Sequence, residues 1–272
     1  MTRLVAPAKL TTALGVVGRR EDGYHLLEAE MVSLDLADEL ELAEGEEGSE
    51  VRDLVDWAGL PGTAPSEEAG LIAANLVGRA LELCGRRARW RLDKHIPAGA
   101  GLGGGSSDAA AVLRWAGVED LSVAAALGAD VPFCLVGGRA RVSGIGEVVE
   151  PLADGGDSAF LLVTPRVHVS TLVVYRAFDE LGGPRGEHGN DLEPAALAAY
   201  PGLRWWRDLL GAASGSRPRL AGSGGTWFVE GEAGALGELA AGVRGEIVSG
   251  RESAFVTVAR RAGPSTGQPA QP

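Results

Sequence analysis

Along the first third of the chain, apolar and polar residues alternate unevenly before helical spacing takes over. Residues 3–17 are β-branched and apolar with interruptions, which predicts one or two strands. Asp22-Gly23 marks a tight turn, and Leu34–Leu42 alternates in part like a half-buried strand. Residues 43–68 are acidic and rich in Gly and Pro, which predicts loop and short irregular strand. Between Ala69 and Cys84, apolar side chains recur at 72, 76, 80 and 83, which predicts a helix ending at Gly85. Arg89–Asp93 alternates as a strand, Ala109–Trp115 is rich in helix formers, and Glu119–Leu127 predicts a short helix with an acidic first turn. Arg139–Glu150 predicts two short strands about a Gly-x-Gly turn.

The second half begins near Pro151. It predicts a strand at Ala159–Thr164, helices at Ser170–Leu181, Asn190–Tyr200 and Leu203–Leu210, and a glycine turn entering a strand within Leu220–Glu230. A helix over Glu232–Val243 and a strand over Ser253–Arg260 close the pattern. This order predicts an α+β protein whose second half is a sandwich of its own. Two domains are expected, residues 1–150 and 151–262, with a Pro/Gly/Gln-rich disordered tail over 263–272.

Composition narrows the function. With 45% hydrophobic residues in 272, the chain can bury a real core. No apolar run of 18 residues occurs, and MTRLVAPAKL has no long apolar stretch, so neither a membrane span nor a signal peptide is expected. A soluble cytoplasmic protein follows as the expectation, with Cys84 and Cys134 as buried thiols outside any metal-ligand spacing. The formal net charge of −12 argues against non-specific binding to nucleic acid or anionic membrane. Any polyanionic substrate then needs local positive potential. Nothing in the sequence sets an oligomeric state.

The stretch with the strongest chemistry is Pro97–Ala111, PAGAGLGGGSSDAAA. Glycines at 99, 101, 103, 104 and 105 feed Ser106, Ser107 and Asp108, residue types that favour a helix N-cap. A glycine loop entering a helix N-terminus offers free N–H groups and partial positive charge, which suits a phosphate. GAGLGG fits G-x-G-x-x-G, yet it comes about 100 residues into the chain, too late for a dinucleotide fold. No lysine follows the glycines as a Walker A loop requires, and H-R-D, D-F-G, G-x-S-x-G and H-E-x-x-H are all missing. Outside the loop, Lys9 interrupts an apolar strand and Asp130 sits among small and apolar residues. A solvated lysine and a turn or N-cap aspartate are their ordinary alternatives. Tyr24 and His25 follow a turn, where the choice is between rim packing and contact with a planar ligand.

APAK (6–9), GYHLL (23–27), PAGAGLGGGSSDAA (97–110), LGADVP (127–132), NDLEP (190–194) and AGSGG (221–225) together resemble the GHMP small-molecule kinases, in the family's order. Within these, the chain is similar to the branch that phosphorylates an alcohol carried on a cytidine diphosphate in the non-mevalonate isoprenoid route. The resemblance implies a two-domain GHMP-kinase fold with the active site in the cleft between the domains, ATP as co-substrate and Mg2+ beside it. It places ATP against Lys94, Pro97, Ala98, Gly99, Ala100, Gly101, Leu102, Gly103, Gly104, Gly105, Ser106, Ser107 and Asp108. It makes Asp130 the catalytic aspartate and Lys9 the catalytic lysine, and Tyr24 and His25 the cytosine-recognition pair. Tyr175 falls where a second stacking aromatic stands, with Thr171 a polar contact near it. No protein ligand for the metal is implied. Thr11 and Gly70 stand where the family carries asparagine. A homoserine, mevalonate or sugar kinase of the same superfamily, or a catalytically idle nucleotide-binding relative, stays open as an alternative.

Overall fold

The computed structural model describes residues 1–58, 76–250 and 252–264. Strand β1 (Thr2–Arg19) and strand β2 (His25–Glu44) form a long antiparallel ribbon closed at Asp22-Gly23. β1 is the one strand of the one or two predicted, and β2 runs well beyond the predicted Leu34–Leu42, because the partner ladder holds the polar interruptions extended. Three register shifts break the ribbon, the first between Pro7 and Lys9. Such a bulge bends a strand and re-aims the next side chain. Here Ala8, Lys9, Leu10 and Thr11 are all buried in succession.

Beyond β2 come β3 (Ser49–Asp53) and β4 (Trp57–Ala58), helical residues 76–83 (α1) and β5 (Ala88–Lys94). Residues 69–75 of the predicted helix, Gly70 among them, and residues 59–68 of the predicted loop lie outside the described residues. The glycine loop then enters α2 (Gly104–Trp115), followed by α3 (Leu121–Ala125), α4 (Val131–Val136), β6 (Arg139–Gly144) and β7 (Val148–Pro151). The second half runs β8 (Ala159–Pro165), α5 (Thr171–Glu180), α6 (Glu193–Ala199), α7 (Leu203–Ser214), β9 (Arg219–Leu220), β10 (Trp227–Gly231), α8 (Ala233–Ser249) and β11 (Ala254–Ala262).

The main strand order is β3-β5-β2-β11-β8-β10-β9. β2 is the spine, because its twenty residues serve different partners: β6 along Leu27–Val32, β11 at Ser33 and Leu34, and β5 along Glu39–Glu44. Of the expected tail, Pro264 bridges Gly137, and residues 265–272 lie outside the described residues.

Three apolar clusters fill the interior. One packs α1 to α4 on the first-half strands, and one packs α5 to α8 on β8, β10 and β11. The third lies between them and includes Leu10, Val32, Ile96, Phe160, Leu162 and Phe228. β8 shows why its sequence is apolar throughout: Leu161 and Val163 face the second cluster, while Phe160 and Leu162 face the third. Burying each such side chain contributes roughly 1.5–3 kcal/mol. The third cluster also takes Ala100 and Leu102 from the glycine loop, so the loop is anchored to both halves.

Candidate active site

The loop's alternation has a local cause. Ala100 and Leu102 are about 2% and 1% exposed, while the residues on either side of them, Gly99, Gly101 and Gly103, have φ of 70°, 77° and 68°. An L side chain at these angles is strained, so the chain can plug two apolar anchors only by spacing them with glycine. Gly101 also lies so close to the second glycine turn that a Cβ would stand 2.6 Å from the Gly224 carbonyl oxygen. Thr226 Oγ1 donates to Ala100 O at 2.7 Å, tying the loop to the second half.

The helix end differs from the sequence expectation. Gly103, not a serine or aspartate, is the N-cap of α2, and no side chain caps it. The N–H groups of Gly104, Gly105 and Ser106 have no intrahelical acceptor. Ser107 and Asp108 lie inside the helix and are fully buried, with Ser107 Oγ donating to Pro7 O at 2.6 Å. Pro97 is buried, whereas Ala98 and Gly99 are exposed.

Lys9 crosses this helix end. Its backbone N–H donates to Leu102 O at 2.9 Å, and its stem passes over Gly103. The ammonium donates to Thr11 Oγ1 at 3.1 Å and lies 3.3 Å from Asp130 Oδ2. Asp130 is the N-cap of α4 but caps nothing with its side chain, so its carboxylate is free to meet Lys9. Lys9 is 5% exposed and Asp130 half-buried, so the pair opens to solvent on the aspartate side.

Lys9, Thr11 and Asp130 line a cavity of about 690 Å³ that also takes in Tyr24, His25, Thr171 and Tyr175. Its far end is aromatic. His25 and Tyr175 stack with centroids 4.8 Å apart, and Tyr24 is 61% exposed at the rim. Thr171 Oγ1 lies 2.8 Å from Ser223 Oγ of the second glycine turn. Burial, and then the Asp130 charge, pushes the Tyr175 hydroxyl up to about 12.

Relatives of known name share this layout of the chain. The GHMP kinases N terminal domain model matches residues 71–138. The chain is 38% identical over 244 residues to the 4-diphosphocytidyl-2-C-methyl-D-erythritol kinase of Paracoccus denitrificans, covering 83% of this chain and 85% of that one. It is 36% identical over 276 residues to the kinase of the same name from Nitrosospira multiformis, covering 90% of each. The chain belongs to the 4-diphosphocytidyl-2-C-methyl-D-erythritol kinase family. A crystal structure of 4-(cytidine 5'-diphospho)-2C-methyl-D-erythritol kinase superposes on it with a TM-score of 0.71 at 30% identity, over 96% of this chain and all of the other. Homoserine kinase from Cytophaga hutchinsonii, at 17% identity and a TM-score of 0.59, shares the fold alone.

Lys94 of this kinase departs from the expectation that it faces a nucleotide. It is 6% exposed and sits between two fully buried carboxylates, bonded to Asp38 and, at 2.8 Å, to Asp108. Asp38 Oδ1 also accepts from the N–H groups of His95 and Ile96. The three side chains form a closed ionic cage behind the N-terminus of α2, where a Cβ on Gly104 would stand 3.1 Å from Lys94 Nζ. Burial above all pushes Asp108 up to about 7, with Lys94 opposing and Asp38 adding to the rise.

Several residues at the site were not singled out from sequence. Arg19, Arg176 and Asp179 line the same cavity, as do Asp22, read only as a turn residue, and Ser223, read only as part of the second glycine turn. Asp179 lies four residues after Tyr175 on α5, so helical spacing was the available signal. The NDLEP segment has a supporting place: Asn190 Nδ2 donates to Leu220 O and Gly222 O, and Asp191 Oδ2 accepts from Val16 N. Cys84 is half-buried rather than buried, and Cys134 is buried as expected.

Proposed function

We propose that this chain transfers the γ-phosphoryl group of ATP to the 2-hydroxyl of 4-diphosphocytidyl-2-C-methyl-D-erythritol. The observation that carries the chemistry is the 3.3 Å Lys9–Asp130 pair beside the uncapped N-terminus of α2. Triphosphate oxygens accept from the free N–H groups at Gly104–Ser106, and the cytidyl group lies at the Tyr24, His25 and Tyr175 end of the cavity.

Asp130 takes the hydroxyl proton late in the reaction. A carboxylate is far too weak a base to strip an alcohol outright, whereas the loose transition state of phosphoryl transfer needs the proton removed only as the P–O bond forms. Lys9, 3.3 Å from Asp130 Oδ2, offsets the charge that grows on the oxygen and the phosphoryl group. Thr11 holds the ammonium in place where asparagine is the family habit. In a chain of net charge −12, Lys9 and the helix end supply the positive potential that a polyanion requires.

Among the described residues, no group of three or more carboxylates, imidazoles or thiols could hold a metal alone. A Mg2+ ion carried on ATP phosphates needs only one or two protein carboxylates, so such a cluster is not required for it. Bound there, it would neutralise charge on the transferring group. The described residues also include no helix long and apolar enough to cross a membrane.

The test is ADP release with the cytidyl substrate, mevalonate and homoserine side by side. Turnover of the cytidyl substrate alone is the expected result, and turnover of only one of the other two overturns the proposal. Asp130→Asn is expected to lower kcat by about 100- to 10,000-fold while ATP binding is kept.

A further inference from the structure

We propose that Asp179 fixes the tautomer of His25 and thereby makes the cavity select cytosine over uracil. The inference rests on the assignment of a cytidyl substrate to this cavity.

His25 opens β2, and three side chains of α5 hold its ring. Tyr175 stacks on one face with an interplanar angle of 21°, and Phe178 meets the ring edge-on at 5.7 Å. Asp179 Oδ1 lies 2.8 Å from Nε2. Tyr175 and Asp179 are one helical turn apart on the same face, so a single element sets both the plane of the imidazole and its hydrogen bond. Asp179 is held in turn: Arg19 Nη1 lies 3.5 Å from its Oδ2, while Arg19 Nε donates to Gly23 O at 3.1 Å.

An ionised carboxylate only accepts hydrogen bonds, so Nε2 must carry a proton. A neutral imidazole has one N–H, and which nitrogen bears it is set by the partner of the other. Nδ1 is therefore left with a lone pair. It has no hydrogen-bond partner among the described residues, and His25 lines the cavity. A ligand donor is what completes it. Cytosine carries an exocyclic amine at ring position 4, whereas uracil carries a carbonyl oxygen there. The amine meets the Nδ1 lone pair, and the carbonyl opposes it. Sites that leave a polar group unmatched discriminate most strongly. Asp179 need not touch the base; it is a positioning residue acting through His25.

The experiment measures kcat and KM of the full chain and of Asp179→Ala, with the cytidyl substrate and its uridyl counterpart. The expected result is a wild type that strongly prefers the cytidyl substrate. In Asp179→Ala the cytidyl KM rises, kcat stays within about threefold, and the cytidyl-to-uridyl ratio of kcat/KM falls about tenfold or more. A merely structural role lowers both substrates in parallel, and an unchanged ratio overturns the inference. Nitrogen-15 NMR of the unmutated protein reads the tautomer without any variant. An Nε2–H ring with an unprotonated Nδ1 supports the inference, and an Nδ1–H ring overturns it. Failure of the underlying assignment is distinguishable, because it shows as a wild type that turns over neither pyrimidine substrate.

Discussion

Gly103 is where the glycine loop and Lys9 meet, and Gly103→Ala tests that contact. The residue sits at φ 68°, and a Cβ there would lie 2.6 Å from Lys9 Cγ, 3.2 Å from Cε and 3.5 Å from Cδ. The left-handed conformation costs a non-glycine residue about 1–2 kcal/mol. Restoring ordinary carbon contact, about 3.6 Å, requires a shift of about 1 Å. Overpacking of this kind costs roughly 1–3 kcal/mol. Together these lower stability by about 2–5 kcal/mol, or Tm by roughly 4–20 °C in a chain of this size. Lys9 is buried and tied to Leu102 through its backbone, so the shift is passed to the ammonium and its approach to Asp130. A misplacement of about 1 Å at a reacting centre costs about 100-fold in rate. The assay pairs thermal unfolding with ADP release at 25 °C, where the variant is folded. Gly117→Ala is the control, because Gly117 follows the other end of α2 at φ 75° with nothing within 4 Å of a Cβ. It should lose about 1–2 kcal/mol of stability and keep its kcat within about twofold. Equal kcat losses in the two variants, or an unaltered kcat in Gly103→Ala, would refute the reasoning.

Two further predictions concern stability. Asp108 has its pKa raised from 3.8 to about 7, chiefly by burial, so the folded state holds a proton there that the unfolded state has released. That contribution is fully present below about pH 4 and is lost as pH rises through about 7. Asp108→Asn cannot titrate, so the Tm advantage of wild type over this variant should shrink from pH 5 to pH 8; a flat or growing difference contradicts it. In α8, Gly237 and Gly242 are exposed with nothing within 4 Å of a Cβ. Changing each to Ala should add about 0.8–1 kcal/mol, seen as an increase in the denaturation midpoint at constant slope, and no increase contradicts the prediction.

Much of the secondary structure was legible because it is local. The helices over 171–180, 203–214 and 233–249 and the strands over 88–94, 159–165 and 254–262 follow from periodicity and from glycine stops. The ribbon was harder. Lys9 and the threonines break the apolar pattern of residues 2–19, and only pairing with β2 shows that they continue one strand. The cap of α2 was misplaced for a similar reason. Ser106, Ser107 and Asp108 have good capping chemistry, yet Ser107 and Asp108 satisfy partners in the interior instead, Pro7 O and Lys94. Lys94 next to a phosphate loop suggests a ligand contact, and its two carboxylates, one of them 56 residues away, are invisible to any local pattern.

By itself, the sequence determined the element types, the glycine loop, and the residue types that a phosphate and a planar base would meet. Those depend on neighbours within a few positions, where φ preference and side-chain spacing act. The tertiary structure decided which of these residues share a cavity. It brought Lys9 to Asp130 across 121 positions, as their numbers show, and His25 to Asp179 across 154. It also turned Lys94 and Asp108 inward. Long-range contacts depend on strand register and helix packing, and a bulge at Pro7 or one turn of α5 redirects a side chain without any change in local pattern.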